Sequence, residues 1–204
     1  MSVGYLAYQV SSGLIQIMEE KGKDAFNVFW SADMADDFED LREYAEEAEF
    51  DLEILGADAI SIFEEASNLD DSDKLTIDAD GKWAQNLHLV LSGCASFELP
   101  NMIIDQQLDR QILVGALTGC HVIENACMPV FYVRPSEVSE ILNVLPQFLD
   151  EDLGARWERL RGRVSPRDDY FSVDEAREFL QEQLIPLYQK ATECGDGILI
   201  CLAV

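Results

Sequence analysis

The apolar positions of this chain fall into two alternating periods. Val3 to Val10 is rich in Val, Tyr and Leu and apolar on both faces, which predicts an inner strand. Val130 to Val133, VFYV, reads as a second strand closed by Arg134-Pro135, and Ile198 to Val204 as a third. The last is apolar at nearly every position and belongs at the centre of a sheet covered on both sides. Between these strands the period changes to that of a helix. Ser11 or Ser12 caps a helix with Leu14, Ile15, Ile17 and Met18 on its inner face, ending near Lys21-Gly22. Met34, Phe38, Leu41, Tyr44, Ala45 and Ala48 predict one amphipathic helix from Asp33 to Phe50, and Ile60, Ile62 and Phe63 a shorter one over Ala57 to Ser67. Asp70 to Asp73 reads as a solvated turn.

Trp83, Leu87, Val90 and Leu91 recur at i, i+4, i+7 and i+8, so the segment before Gly93 is a helix, capped by Asp78 or Asp80 and stopped at the glycine. Cys94 to Arg110 has no sustained period and reads as a loop, with a short helix near Asp105 to Leu117. Ser136 starts a helix through Val138, Ile141, Leu142 and Leu145 that Pro146 stops. Ser172 to Thr192 is a long helix in which Pro186 introduces a bend, and Gly195-Asp196-Gly197 turns the chain into the final strand. These elements predict one α+β domain over residues 1–204, with a small mixed central sheet covered by amphipathic helices.

Charge adds what periodicity leaves out. The formal net charge is −26, and it is unevenly spread: residues 1–80 carry 22 acids and 4 bases, residues 81–204 carry 18 and 10. A field of this sign repels nucleic acid and anionic membrane and attracts basic protein. Aromatic residues are interleaved with the acids. Trp30, Asp36, Asp37, Glu39, Asp40, Glu43, Tyr44, Glu46, Glu47 and Phe50 form the candidate partner-binding surface, because aromatic anchors inside a charged rim suit steered capture of a cationic protein. The reading that follows is an acidic protein-binding module, and more specifically an immunity-type protein that neutralises a basic toxin or effector by direct binding. The competing reading is an enzyme or small-ligand binder with a pocket near Asp80, Trp83, His88 and Arg134. Acidity that serves solubility alone is a third.

No nucleophile or phosphate-loop motif is present, so no catalytic residue is assigned. Asp70 to Asp80 lacks the register and closing Glu of a calcium loop, and Cys94, Cys120, His121 and Cys127 lack paired zinc-ligand spacing. The expectation is therefore no metal and no cofactor. Arg156, Arg159, Arg161, Arg163 and Arg167 form either an anion site or a set of internal partners for the protein's own acids, and the second is preferred. Five cysteines with no export signal at the start MSVGYLAYQV, and no apolar run of about 20 residues, point to a cytoplasmic protein with reduced thiols.

The order of an acid, Trp83, and then LHLVLSG at Leu87 to Gly93 resembles the signature of the DUF1877 (YfbM-like) family of uncharacterised bacterial proteins. The opening VGYLAY, VFYVRPSEVSEIL at Val130 to Leu142, and LYQKATECGDGILICLAV at Leu187 to Val204 agree with it. The resemblance implies a YfbM-like fold over the whole chain and brings no biochemical activity with it. Against that family the acidic stretch at about 24–73 is longer, and reads as this protein's own elaboration.

Overall fold

The structure is a computed structural model that describes residues 4–47, 50–77, 81–93, 115–126, 128–163 and 171–203. At its centre is β5 (Gly197–Ala203), which pairs with β1 (Gly4–Val10) on one side and β4 (Val130–Val133) on the other. β2 (Lys74–Ile77) lies outside β1, and β3 (His121–Ile123) outside β4, giving the order β2-β1-β5-β4-β3. Every pairing is antiparallel, so the expected α+β class holds while the mixed sheet is corrected. The two edge strands escaped the sequence because runs of four and three residues are too short to show a period.

Register decides which residues face which layer. Tyr5 opposes Leu202 and Ala7 opposes Ile200, and with Ile198 and Val133 they form one buried face. Leu6 opposes Cys201 and Tyr8 opposes Leu199, and with Val130 and Tyr132 they form the other. Both faces are apolar, so both must be covered.

The N-terminal helices cover the second face. These are α1 (Ser12–Lys21), α2 (Lys23–Ser31), α3 (Phe38–Glu47), α4 (Leu52–Leu55) and α5 (Asp58–Ser67). Ser11 caps α1 through its hydroxyl and also bonds Glu65, which ties α5 to the start of α1. α2 was not foreseen, although its buried Ala25, Phe26, Val28 and Phe29 share one helical face. The single helix expected over Asp33 to Phe50 is broken. Ala32–Met34 is a 3-10 turn, Ala35 is extended, and α3 restarts at Phe38 with Asp37 accepting from the backbone of Glu39 and Asp40 at 2.8 and 3.0 Å. On α5, Ile62 is buried as expected but Ile60 points outward.

The first face is covered by α6 (Gly81–Ser92), α7 (Gly115–Thr118), α8 (Pro135–Val144), α9 (Gln147–Asp150), α10 (Leu153–Leu160), α11 (Val173–Phe179) and α12 (Ile185–Cys194). Between α11 and α12 the chain makes a π-helical turn at Leu180–Leu184, just before Pro186. The single helix expected over 172–192 is thus interrupted before Pro186, whose missing N–H cannot bond the preceding turn. The expected helix near 105–117 lies largely outside the described residues, of which Gly115–Thr118 is its end. Asp71–Asp73, expected to be a plain turn, is a 3-10 turn held by reciprocal bonds between Asp70 and Asp73 and by Lys190 on Asp73 at 2.5 Å.

The junction from α7 to β3 leaves no room for a side chain. Gly119 has φ +66°, and a Cβ there would lie 2.5 Å from the Cβ of Phe131 and 2.9 Å from the nitrogen of Tyr132. Gly119→Ala is expected to cost about 2–4 kcal/mol, from left-handed strain plus displacement of β4. Urea unfolding checks this, and an unchanged midpoint would contradict the packing at this junction.

Candidate protein-interaction surface

From Ser12 to Ser67 the sequence holds seventeen acids and three bases, and the described helices of this stretch pack on one side of the sheet. On α3 the cap Asp37 and the first-turn Glu39 and Asp40 favour the helix, whereas the later acids do not. Phe38, Leu41 and Ala45 turn toward the core, while Glu39, Asp40, Arg42, Glu43, Tyr44 and Glu46 are exposed. Asp40 with Glu43, Glu39 with Glu43, and Glu43 with Glu46 are like-charge neighbours three or four residues apart on the helix, each costing about 0.2–0.5 kcal/mol. Glu46 and Glu47 stand at the negative end of the helix dipole, with no base in the last turn. Arg42 is the one compensation on α3, bonded to Glu39 at 3.1 Å and lying over the ring of Phe38 at 5.9 Å. Among the described residues Asp36, Asp40, Glu43 and Glu46 take part in no ion pair.

The candidate residues do not all share a role. Asp37 is the helix cap already described, and Glu47 lies on α3 with its side chain outside the description. Phe50 is buried, with the ring of Tyr44 6.4 Å away. Trp30 stands apart from them. It stacks on Phe26 at 6.0 Å and lines a separate groove of about 340 Å³ with Leu6, Tyr8, Phe29, Met34 and Lys74.

Sequence reasoning missed the groove beside α3. It has a volume of about 670 Å³, a floor of Phe38, Ala45, Phe50, Leu52, Ala59 and Ile60, and a rim that includes Arg42, Glu46, Asp51 and Glu53. Four of the five strongly exposed large apolar side chains among the described residues stand on this layer: Met34 at 59%, Ile54 at 52%, Ile60 at 47% and Tyr44 at 37%. Together they leave apolar surface open beside the acids of α3.

No family model matches the chain, and no curated protein does. Among solved structures it is similar to the crystal structure of a protein of unknown function, YfbM from Escherichia coli. The two are 18% identical, with a TM-score of 0.46, over 98% of this chain and 99% of that one. The neighbour's own title gives it no function, so the site stands on its geometry alone.

The second candidate set is dispersed. Asp80 lies outside the described residues. Trp83 meets Phe179 edge-on at 5.3 Å. Arg134 belongs to the end of β4, where it pairs with Glu19 of α1 at 2.5 Å. His88, expected at the margin of the core, is 1% exposed, because the sheet packs on one side of α6 and α10 on the other. The Ser92 hydroxyl donates to the His88 carbonyl at 2.7 Å and lies 3.3 Å from Nε2 of the ring. Burial lowers the His88 pKa to about 3, so the ring stays neutral at physiological pH. Among the described residues no three His, Cys, Asp or Glu side chains are grouped to hold a metal ion, and Cys94 and Cys127 lie outside them.

The arginines are spent on the opposite layer. Arg156 is buried and donates to the carbonyls of Val90 and Leu91, which the end of α6 leaves without helical partners, and it lies over Phe148 at 5.5 Å. Arg177 does the same for Leu149 and Glu151 after α9. Arg161 pairs locally with Glu158 at 3.0 Å. Arg167 and the side chain of Arg163 lie outside the description. Among the described residues the expected pairing with the protein's acids is seen at Arg161, and Arg156 also serves backbone carbonyls.

Two outcomes follow from these buried groups. Arg156→Met strands two carbonyls and is expected to cost about 3 kcal/mol in denaturant unfolding; a loss below about 1 kcal/mol would contradict the capping role. His88 is neutral when folded and titrates near 6.5 when unfolded, so the unfolded chain binds the extra proton and stability falls with acid between those values. The stability advantage of the wild type over His88→Gln should shrink by about 2 kcal/mol from pH 7 to pH 5, whereas parallel stability curves would show that burial does not hold the ring neutral.

Proposed function

We propose that this chain is a DUF1877 domain whose N-terminal layer is a docking surface for a basic protein, and that it acts as an immunity-type protein, neutralising a cationic toxin or effector by occluding it. The observation that carries this reading is the separation of charge by layer. The acids of α3 repel one another and gather on one face, while Arg156 and Arg177 are committed to backbone carbonyls on the other. A helix kept at such cost to its own stability fits a surface shaped for another molecule. Exposed apolar residues amid the acid supply the desolvated anchors that hold a complex after charge has steered it together. We propose a cytoplasmic setting, where the thiols of Cys120, Cys194 and Cys201 stay free.

The test is kinetic. Basic proteins encoded by the genes flanking this one are purified, and their association is followed at about 50 mM and about 500 mM salt. One is expected to bind, with an on-rate that falls at least about tenfold between the two salts and a similar amount when Asp40, Glu43 and Glu46 are changed together to Lys. Failure of all of them to bind, or a rate indifferent to salt and to charge reversal, would contradict the reading.

A further inference from the structure

Deepening that reading, we infer that the groove between α3 and α5 receives an amphipathic helical segment of the partner, one that carries large apolar side chains on one face and Lys or Arg along both margins. The proposal rests on the acidic-capture reading for its charge but on separate residues for its shape. The floor of Phe38, Phe50, Leu52 and Ile60 is apolar, and Ile60 is 47% exposed among the described residues. A volume of about 670 Å³ is far more than one side chain fills and suits several anchors in a row.

Charge complementarity selects the occupant. Glu46 stands on the α3 side of the rim, and Asp51 and Glu53 on the α4 side. The one rim cation, Arg42, is turned back onto Glu39 and the face of Phe38. An acidic segment would meet three carboxylates, and so would a second copy of this chain, with its net charge of −26. A cationic helix has apolar side chains at i, i+3, i+4 and i+7 for the floor and bases flanking that stripe for both rims. Gly56, at φ +58°, turns the chain between α4 and α5 and lines the groove, with no described atom within 4 Å of where its Cβ would lie.

Two peptides of about fifteen residues and identical Leu and Lys composition test this, one with its leucines at helical spacing and one scrambled. Titrated against the full chain at low salt, the amphipathic isomer is expected to bind at least tenfold more tightly than the scrambled one. Ile60→Arg, a change at an exposed site that leaves the fold intact, should remove that preference without altering the scrambled peptide's affinity by more than about twofold. Glu46→Gln with Glu53→Gln should weaken both isomers alike. Equal affinity for the two isomers, or a preference that survives Ile60→Arg, would overturn the groove while leaving capture by charge intact. Failure of both isomers to bind would overturn the two together.

Discussion

Both faces of β5 are apolar, and that constraint organises the molecule. A central strand with no polar side must be covered twice, so the chain before β2 is committed to one side of the sheet and most of the chain after it to the other. The division by layer then becomes a division by charge, because the acids of this sequence are concentrated in its first third. Burial, acting on apolar residues alone, thus gathers carboxylates onto one surface.

What keeps that surface acidic is the use made of arginine. A guanidinium over an exposed carboxylate gains little in water, whereas one inserted beside stranded carbonyls at a helix end replaces hydrogen bonds that the helix cannot make itself. Arg156 at the end of α6 and Arg177 at the end of α9 take the second role. Bonds between the layers are few and specific, as with Arg134 and Glu19, and Lys190 and Asp73. Burial alone would raise the Asp73 carboxyl, but the hydrogen bonds from Lys190 and the Asp70 N–H, with the charges of Lys190 and Lys74, hold it below its ordinary value. That pair fastens the approach to β2 and leaves α3 untouched.

The sequence showed elements where one period dominates and lost them where two constraints overlap. β1, β4 and β5 are long or apolar enough to stand out, while β2 and β3 gain their identity only from pairing. α6 hides His88, which lies beside its apolar stripe. The stripe through Trp83, Leu87, Val90 and Leu91 was correct, yet α10 covers the side of α6 that the stripe leaves out. The acidic residues of α3 were visible at once. The groove beside them was not, because its lining is assembled from separate segments between Phe38 and Ile60 that only the fold brings together.

The account depends on a negative potential localised over one layer, and near-surface potential can be read residue by residue from the broadening of amide resonances by cationic and anionic nitroxides of equal size. The cationic probe is predicted to broaden the amides of residues 36–60 several-fold more than those of α8 to α12, with the order reversed for the anionic probe. Equal broadening of the two layers by each probe would show that the charge is diffuse, and the acidic surface would lose its claim to be a site.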